Sequence, residues 1–174
     1  MKCLLAIFCF LSVSAIAQDF PEDWLGSYQG EMLIANAGRP TDTIDVTYEM
    51  ITLEEDSIWT YKMTFYSDKY GTIVKDYKIV AKSKENEFNY LLDENNGIVM
   101  EMTLMDGTFY GMYKVMDMMY VTTMRYTEGD AIYYDLFAAP MANPTVTSTE
   151  GEEPIEATSY GTILHQTALF KPVQ

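Results

Sequence analysis

Few side chains in this chain are of a type and spacing that could do covalent chemistry. His165 is its one imidazole. It lies in Leu164-His165-Gln166-Thr167-Ala168-Leu169-Phe170, with no neighbouring group placed to orient the ring. A histidine there could ligate a metal or act as a general base, but a lone strand histidine more often faces solvent or is satisfied in the core. The two cysteines, Cys3 and Cys9, fall in an N-terminal apolar run and leave with it, so the rest of the chain has no thiol for a disulfide, metal site or nucleophile. Eight methionines lie between Met100 and Met124. Thioethers can bind Cu(I), and Met116, Met118 and Met119 are the densest subset. Met100 and Met102, however, share the parity of Ile98 and Leu104, the pattern of a core or cavity lining. In Asp93-Glu94-Asn95-Asn96-Gly97 the glycine stands fifth rather than sixth, and the twelfth residue is Leu104 rather than a glutamate, so a hairpin is expected rather than a calcium loop. No Ser-His-Asp arrangement and no glycine-rich phosphate loop is legible. Paired carboxylates for glycoside chemistry would need acids on an inner face, and here the strand acids fall mainly on the polar one. No catalytic residue is assigned.

The tyrosines are more informative. There are fourteen, and Tyr48, Tyr61, Tyr77, Tyr90 and Tyr134 fall on the apolar parity of their segments. A core with no room for water would favour Val, Leu and Ile, because buried hydroxyls need partners. Together with Met63, Met100 and Met102, these tyrosines are the candidate lining of a partly open cavity with a few polar handles, as small-molecule sites tend to be.

The elements that would hold them read as strands throughout. Apolar residues alternate with polar ones around 44–50, 59–65, 77–81, 88–92, 98–104, 108–115, 118–126 and 132–138, after an opening segment at 24–35. Turn residues separate them at 36–40, 54–57, 67–71, 84–86, 106–107, near Asp117 and at 128–130. Asn95-Asn96-Gly97 suits a type I′ hairpin. No stretch keeps a 3.6-residue period. Residues 140–159 hold three prolines and an acidic patch, which reads as a loop. A last strand, 160–171, could return to pair with the first and close the sheet, which removes exposed edges. The expectation is an all-β fold: one antiparallel up-and-down barrel of about ten strands over residues 18–174.

Lys2, an apolar run to Ile16 and the small-x-small triplet Ala15-Ile16-Ala17 have the form of a secretory signal peptide over 1–17. The run is too short to span a bilayer. A secreted chain, periplasmic or extracellular and without membrane insertion after cleavage, is expected. Without Lys2 it carries 10 basic against 26 acidic residues, a field that repels nucleic acid and anionic membranes. The acids are scattered, as on a solubilising surface.

The opening Trp24-Leu25-Gly26-Ser27-Tyr28-Gln29-Gly30-Glu31 and the meander of hairpins resemble the lipocalin and fatty-acid-binding (calycin) superfamily. There, an early Trp-Gly signature plugs one end of the barrel, and a late-strand Arg or Lys often covers the Trp. Here the order is Trp-x-Gly-x-Tyr, so the signature maps onto Trp24, Gly26 and Tyr28. Arg125 is the candidate cation over Trp24, a contact worth about 1–2 kcal/mol when desolvated. With Arg125 so engaged, a neutral ligand would be favoured. The resemblance implies a binding module that holds a small apolar or aromatic molecule, with no cofactor. The same opening also looks like nitrobindin, which would imply haem held by a histidine near the C-terminus, here His165. A third reading is a protein-interaction scaffold working through 140–159 and the hairpin tips.

Overall fold

The computed structural model describes residues 20–83, 88–127 and 129–173. The expected signal peptide over 1–17, the turn expected at 84–86, and Glu128 lie outside the described residues. A single 3-10 turn, Glu22–Trp24, leads into thirteen strands. These are β1 (Gly26–Asn36), β2 (Asp42–Met50), β3 (Thr52–Glu54), β4 (Ile58–Ser67), β5 (Gly71–Ala81), β6 (Asn89–Asp93) and β7 (Val99–Met105). They continue as β8 (Thr108–Val115), β9 (Met118–Thr127), β10 (Ala131–Pro140), β11 (Thr145–Ser148), β12 (Glu156–Ser159) and β13 (Leu164–Pro172). Among the described residues no helix is long and apolar enough to cross a membrane.

The strands form a closed antiparallel barrel. Each wall strand pairs with its neighbours in sequence, and β13 pairs with both β10 and β1. β2 and β3 both pair with β4 and count as one wall strand broken at Ile51. The wall therefore has ten strands, an up-and-down, lipocalin-like barrel. At the break, the Thr60 hydroxyl accepts from the Ile51 amide (2.9 Å) and donates to the Glu49 carbonyl (3.1 Å). That repairs the ladder where the strand kinks, as backbone groups out of register otherwise lose their partners.

Two glycines of the opening segment are required by geometry. Gly26 has φ of 147°, which side chains rarely adopt. At Gly30 a Cβ would lie 2.4 Å from the Leu169 carbonyl oxygen, so this glycine lets β1 and β13 close the seam. The inner parity buries a continuous cluster that includes Trp24, Tyr28, Met32, Tyr48, Trp59, Phe109, Ile132 and Phe170. Each such side chain contributes about 1.5–3 kcal/mol on removal from water.

Two turn expectations are corrected. Asn95 (φ 58°) and Gly97 (φ 96°) are left-handed and Asn96 is not, so Asn95-Asn96-Gly97 is not a type I′ turn. The Glu94 amide donates instead to the Ile98 carbonyl (3.0 Å) around a longer loop. The adjacent positive-φ pair that a two-residue I′ loop needs occurs at Asp106 and Gly107, between paired Met105 and Thr108. Residues 140–159, expected as loop, contain the β11–β12 hairpin, with Thr145 opposite Ser159. Its residues are exposed, so it lacks the one-sided burial that marks a wall strand.

Candidate functional site

The two ends of the barrel differ. At the end where β1 begins, Trp24 is 1% exposed and is enclosed by Phe20 (5.9 Å between ring centroids), Phe109 (5.5 Å) and Tyr126 (6.2 Å). Phe20 also makes edge contacts with Trp59 (5.0 Å), Tyr90 (5.2 Å) and Phe109 (4.8 Å), the favoured arrangement of aromatic pairs. The Tyr28 hydroxyl donates to the Trp24 carbonyl (3.1 Å) and ties the plug to β1. Trp24, Gly26 and Tyr28 thus act together as an end seal.

The other end is open because the β4–β5 hairpin leaves the wall. β4 pairs with β2 only as far as Tyr66 opposite Asp45, and β5 pairs with β6 only from Lys78 opposite Asp93 to Ala81 opposite Tyr90. Residues 71–76 are exposed. Between this hairpin and the upper part of β2 lies a cleft of about 820 Å³, lined by Ile34, Ile44, Phe65, Ile73, Lys75 and Gln166. Asp42, Ser67, Asp68 and Tyr70 stand at its rim. Ile34, Ile44 and Phe65 are half-buried, unlike the sealed end.

Lys75 is the unexpected member. Alternation along β5 places Ile73, Lys75, Tyr77 and Ile79 on the inner parity. On the described wall strands, Lys75 and the rim residue Asp42 are the charged residues of that parity. Its Nζ stands 5.6 Å from the Phe65 ring centre and 5.9 Å from that of Tyr77, and among the described residues it has no ion-pair partner. The side chain keeps access to solvent, yet the surrounding strands still desolvate the ammonium and lower its pKa, which Glu94 partly offsets.

Below the mouth the tyrosines converge. Tyr61 stacks on Tyr77 (6.5 Å, 12°) and meets Tyr48 edge-on (5.4 Å). Burial pushes the hydroxyl pKa values up, and neighbouring phenols add to the effect. Tyr77 and Tyr113 rise to about 12, and Tyr48, Tyr61 and Tyr134 rise higher. All of them stay protonated donors at neutral pH. The expected lining residues Tyr48, Tyr61, Met63, Tyr77, Tyr90, Met100, Met102 and Tyr134 face inward. None lines the cleft; all but the half-buried Tyr77 are buried in packed core beneath it.

Arg125 is a correction. Met124 and Tyr126 take the inner face of β9, so the residue between them must point out. Arg125 is exposed and stacks over Tyr133 on the outer surface, 4.8 Å from the ring centre. It does not cover Trp24, whose neighbours are Phe20, Phe109 and Tyr126, and it lines no cavity. His165 also points outward. Its Nε2 donates to Asp135 Oδ1 (2.7 Å), and its ring stacks on Phe137 (4.4 Å, 3°). Asp135 also accepts from the Tyr133 hydroxyl (3.1 Å), which accepts from Thr167 (2.9 Å). This imidazole cannot reach a haem seated inside the barrel, so the residues do not fit that group. Among the described residues, no cluster of three or more His, Cys, Asp or Glu side chains could hold a metal. Met118 lies on the inner parity, Met119 on the outer, and Met116 is 87% exposed at the turn, so these three thioethers do not converge. In the β6–β7 loop, Asp93 and Asn96 side chains accept from the backbone amides of Asn95 (2.8 Å) and Ile98 (2.9 Å), the pattern of a hairpin cap.

Sequence reading missed Phe20 and Lys75. Phe20 lies outside any alternating run. Lys75 was legible from the parity of Tyr77 and Ile79, had that alternation been extended two residues toward the turn.

No protein-family model matches the chain, and no curated protein matches it by sequence. Solved structures share its fold. The S-type phycobiliprotein lyase CPES from Guillardia theta matches with a TM-score of 0.63 at 11% identity, over 88% of this chain and 90% of that one. A protein of unknown function of the DUF3598 family, from Nostoc punctiforme, matches with a TM-score of 0.59 at 12% identity, over 87% of this chain and 48% of its own. Rv2717c from M. tuberculosis matches with a TM-score of 0.51 at 11% identity, over 87% and 94%. The ten-stranded antiparallel barrel is thus a known architecture, consistent with a lipocalin-like calycin fold. At these identities the likeness is one of fold alone.

Proposed function

We propose that this barrel is a secreted binding module that takes a small apolar or aromatic molecule at its open end. The carrying observation is the cleft of about 820 Å³ between β2 and the β4–β5 hairpin, walled by Ile34, Ile44, Phe65 and Ile73, opposite an end that is sealed. Its size is that of small-molecule sites, and its apolar walls stand beside the charged side chains of Glu31, Asp42, Asp45, Asp68, Lys69 and Lys75. The fold relatives support the choice of scaffold and nothing finer.

The test is saturable binding of an environment-sensitive apolar dye, followed by fluorescence, in wild type and in Ile44→Trp. The larger ring fills the cleft, and affinity is expected to fall about tenfold or more while the far-UV circular dichroism is unchanged. A wild type without saturable binding, or an Ile44→Trp variant that binds as well, would overturn the proposal.

A further inference from the structure

We propose that the molecule bound at the open end is an amphiphile with a single carboxylate, received by Lys75, its apolar body lying along Ile34, Ile44, Phe65 and Ile73. This rests on the reading of the open end as the binding site, and adds the chemistry of the head group.

Three observations carry it. The first is placement. In a chain of net charge −15, the inner parity of the wall carries one cation, Lys75, at the level where the cleft opens. The second is its lack of an anion. Lys62 pairs with Glu49 and Lys82 with Glu101 on the outside, whereas the Lys75 ammonium has two aromatic rings, at 5.6 and 5.9 Å, and no ion pair among the described residues. Rings hold an ammonium weakly and leave its three N–H donors available. A carboxylate would accept from them in a charge-assisted bond, strengthened by the partly desolvated surroundings. The Glu94 carboxylate is engaged by the Tyr77 hydroxyl and acts on Lys75 only at longer range. The third is the rim. Glu31, Asp42, Asp45 and Asp68 line the same cleft against one cation besides Lys75, the exposed Lys69, so a second negative charge on the ligand would sit mainly among like charges. Lys75 with an acidic rim selects one negative charge over two.

The experiment compares dansyl-undecanoic acid with its methyl ester on the full mature chain, in wild type, Lys75→Met and Lys75→Arg. Wild type is expected to bind the acid at least about tenfold more tightly than the ester. Lys75→Met should lose that preference while still binding the ester, and Lys75→Arg should keep most of it. A dicarboxylate of equal length should compete less well than the monocarboxylate. An ester bound as tightly as the acid by wild type, or a preference that survives in Lys75→Met, would overturn the head-group assignment and leave the binding site standing. Failure of both probes to bind would overturn the site itself.

Discussion

The two ends of this barrel are built from similar aromatic residues and come out differently. At one, Phe20, Trp24, Trp59, Tyr90 and Phe109 meet edge to face in a packed cluster. At the other, Phe65, Tyr66 and Tyr70 surround an opening. The difference lies in the strands. At the sealed end the segment before β1 folds across the barrel as a 3-10 turn, and Phe20 and Trp24 enter the interior from it. At the open end β4 and β5 outrun their partners, so their hairpin diverges and the inner side chains lose neighbours. Whether an aromatic residue closes a barrel or lines a mouth thus depends on whether the backbone under it is paired on both sides.

The comparison can be broken most sharply at the plug. Trp24→Ala removes an almost wholly buried indole and should cost about 3–5 kcal/mol, whereas Ile44→Ala, at a half-buried wall of the cleft, should cost about 1 kcal/mol. Urea unfolding of both variants measures the contrast, and equal losses would mean that the two ends are equally packed. A second test is alkaline titration. The folded-state pKa values of Tyr77 and Tyr113, about 12, lie above the unfolded value of 10.0. A raised pKa of this kind gives stability that is fully present below pH 10 and is lost as pH rises from 10 through about 12. The buried Tyr48 and Tyr61, raised further, should ionise only as the barrel unfolds. Phenolate absorbance and circular dichroism recorded together would show this. All fourteen tyrosines titrating near pH 10 with the fold intact would instead mean that water fills the whole interior. The smallest effects are expected outside. Arg125→Ala and His165→Ala alter contacts on the outer face and should each change stability by less than about 1 kcal/mol. Neither should alter ligand affinity, and a loss of binding in either would place the site on the wall rather than at the mouth.

Much of the wall was legible in the chain. β8 was expected over 108–115 and is Thr108–Val115, and the parities of β2, β4 and β10 were read correctly, because a half-buried strand writes its period into its residues. The return of a last strand to β1 was anticipated from the same logic. The site was harder. Analogy to the calycin signature turns Arg125 inward, although its own neighbours, Met124 and Tyr126, carry the inner parity. His165 points outward and bonds Asp135, a partner thirty residues away that no local pattern indicates. The β11–β12 hairpin was missed because both of its faces meet solvent and no alternation was imposed.

Alternation alone determined that this chain is all-β, that Tyr48, Tyr61, Tyr77, Tyr90 and Tyr134 face inward, and that ten segments could share one interior, since each strand must hide one face and show the other. Which end of that interior is shut, and that Lys75 stands without a counter-ion among the described residues where it opens, was decided by tertiary structure. Both depend on where one strand stops pairing with the next and on which segment folds across the end, and those contacts join residues far apart in the chain, whose meeting no local pattern records.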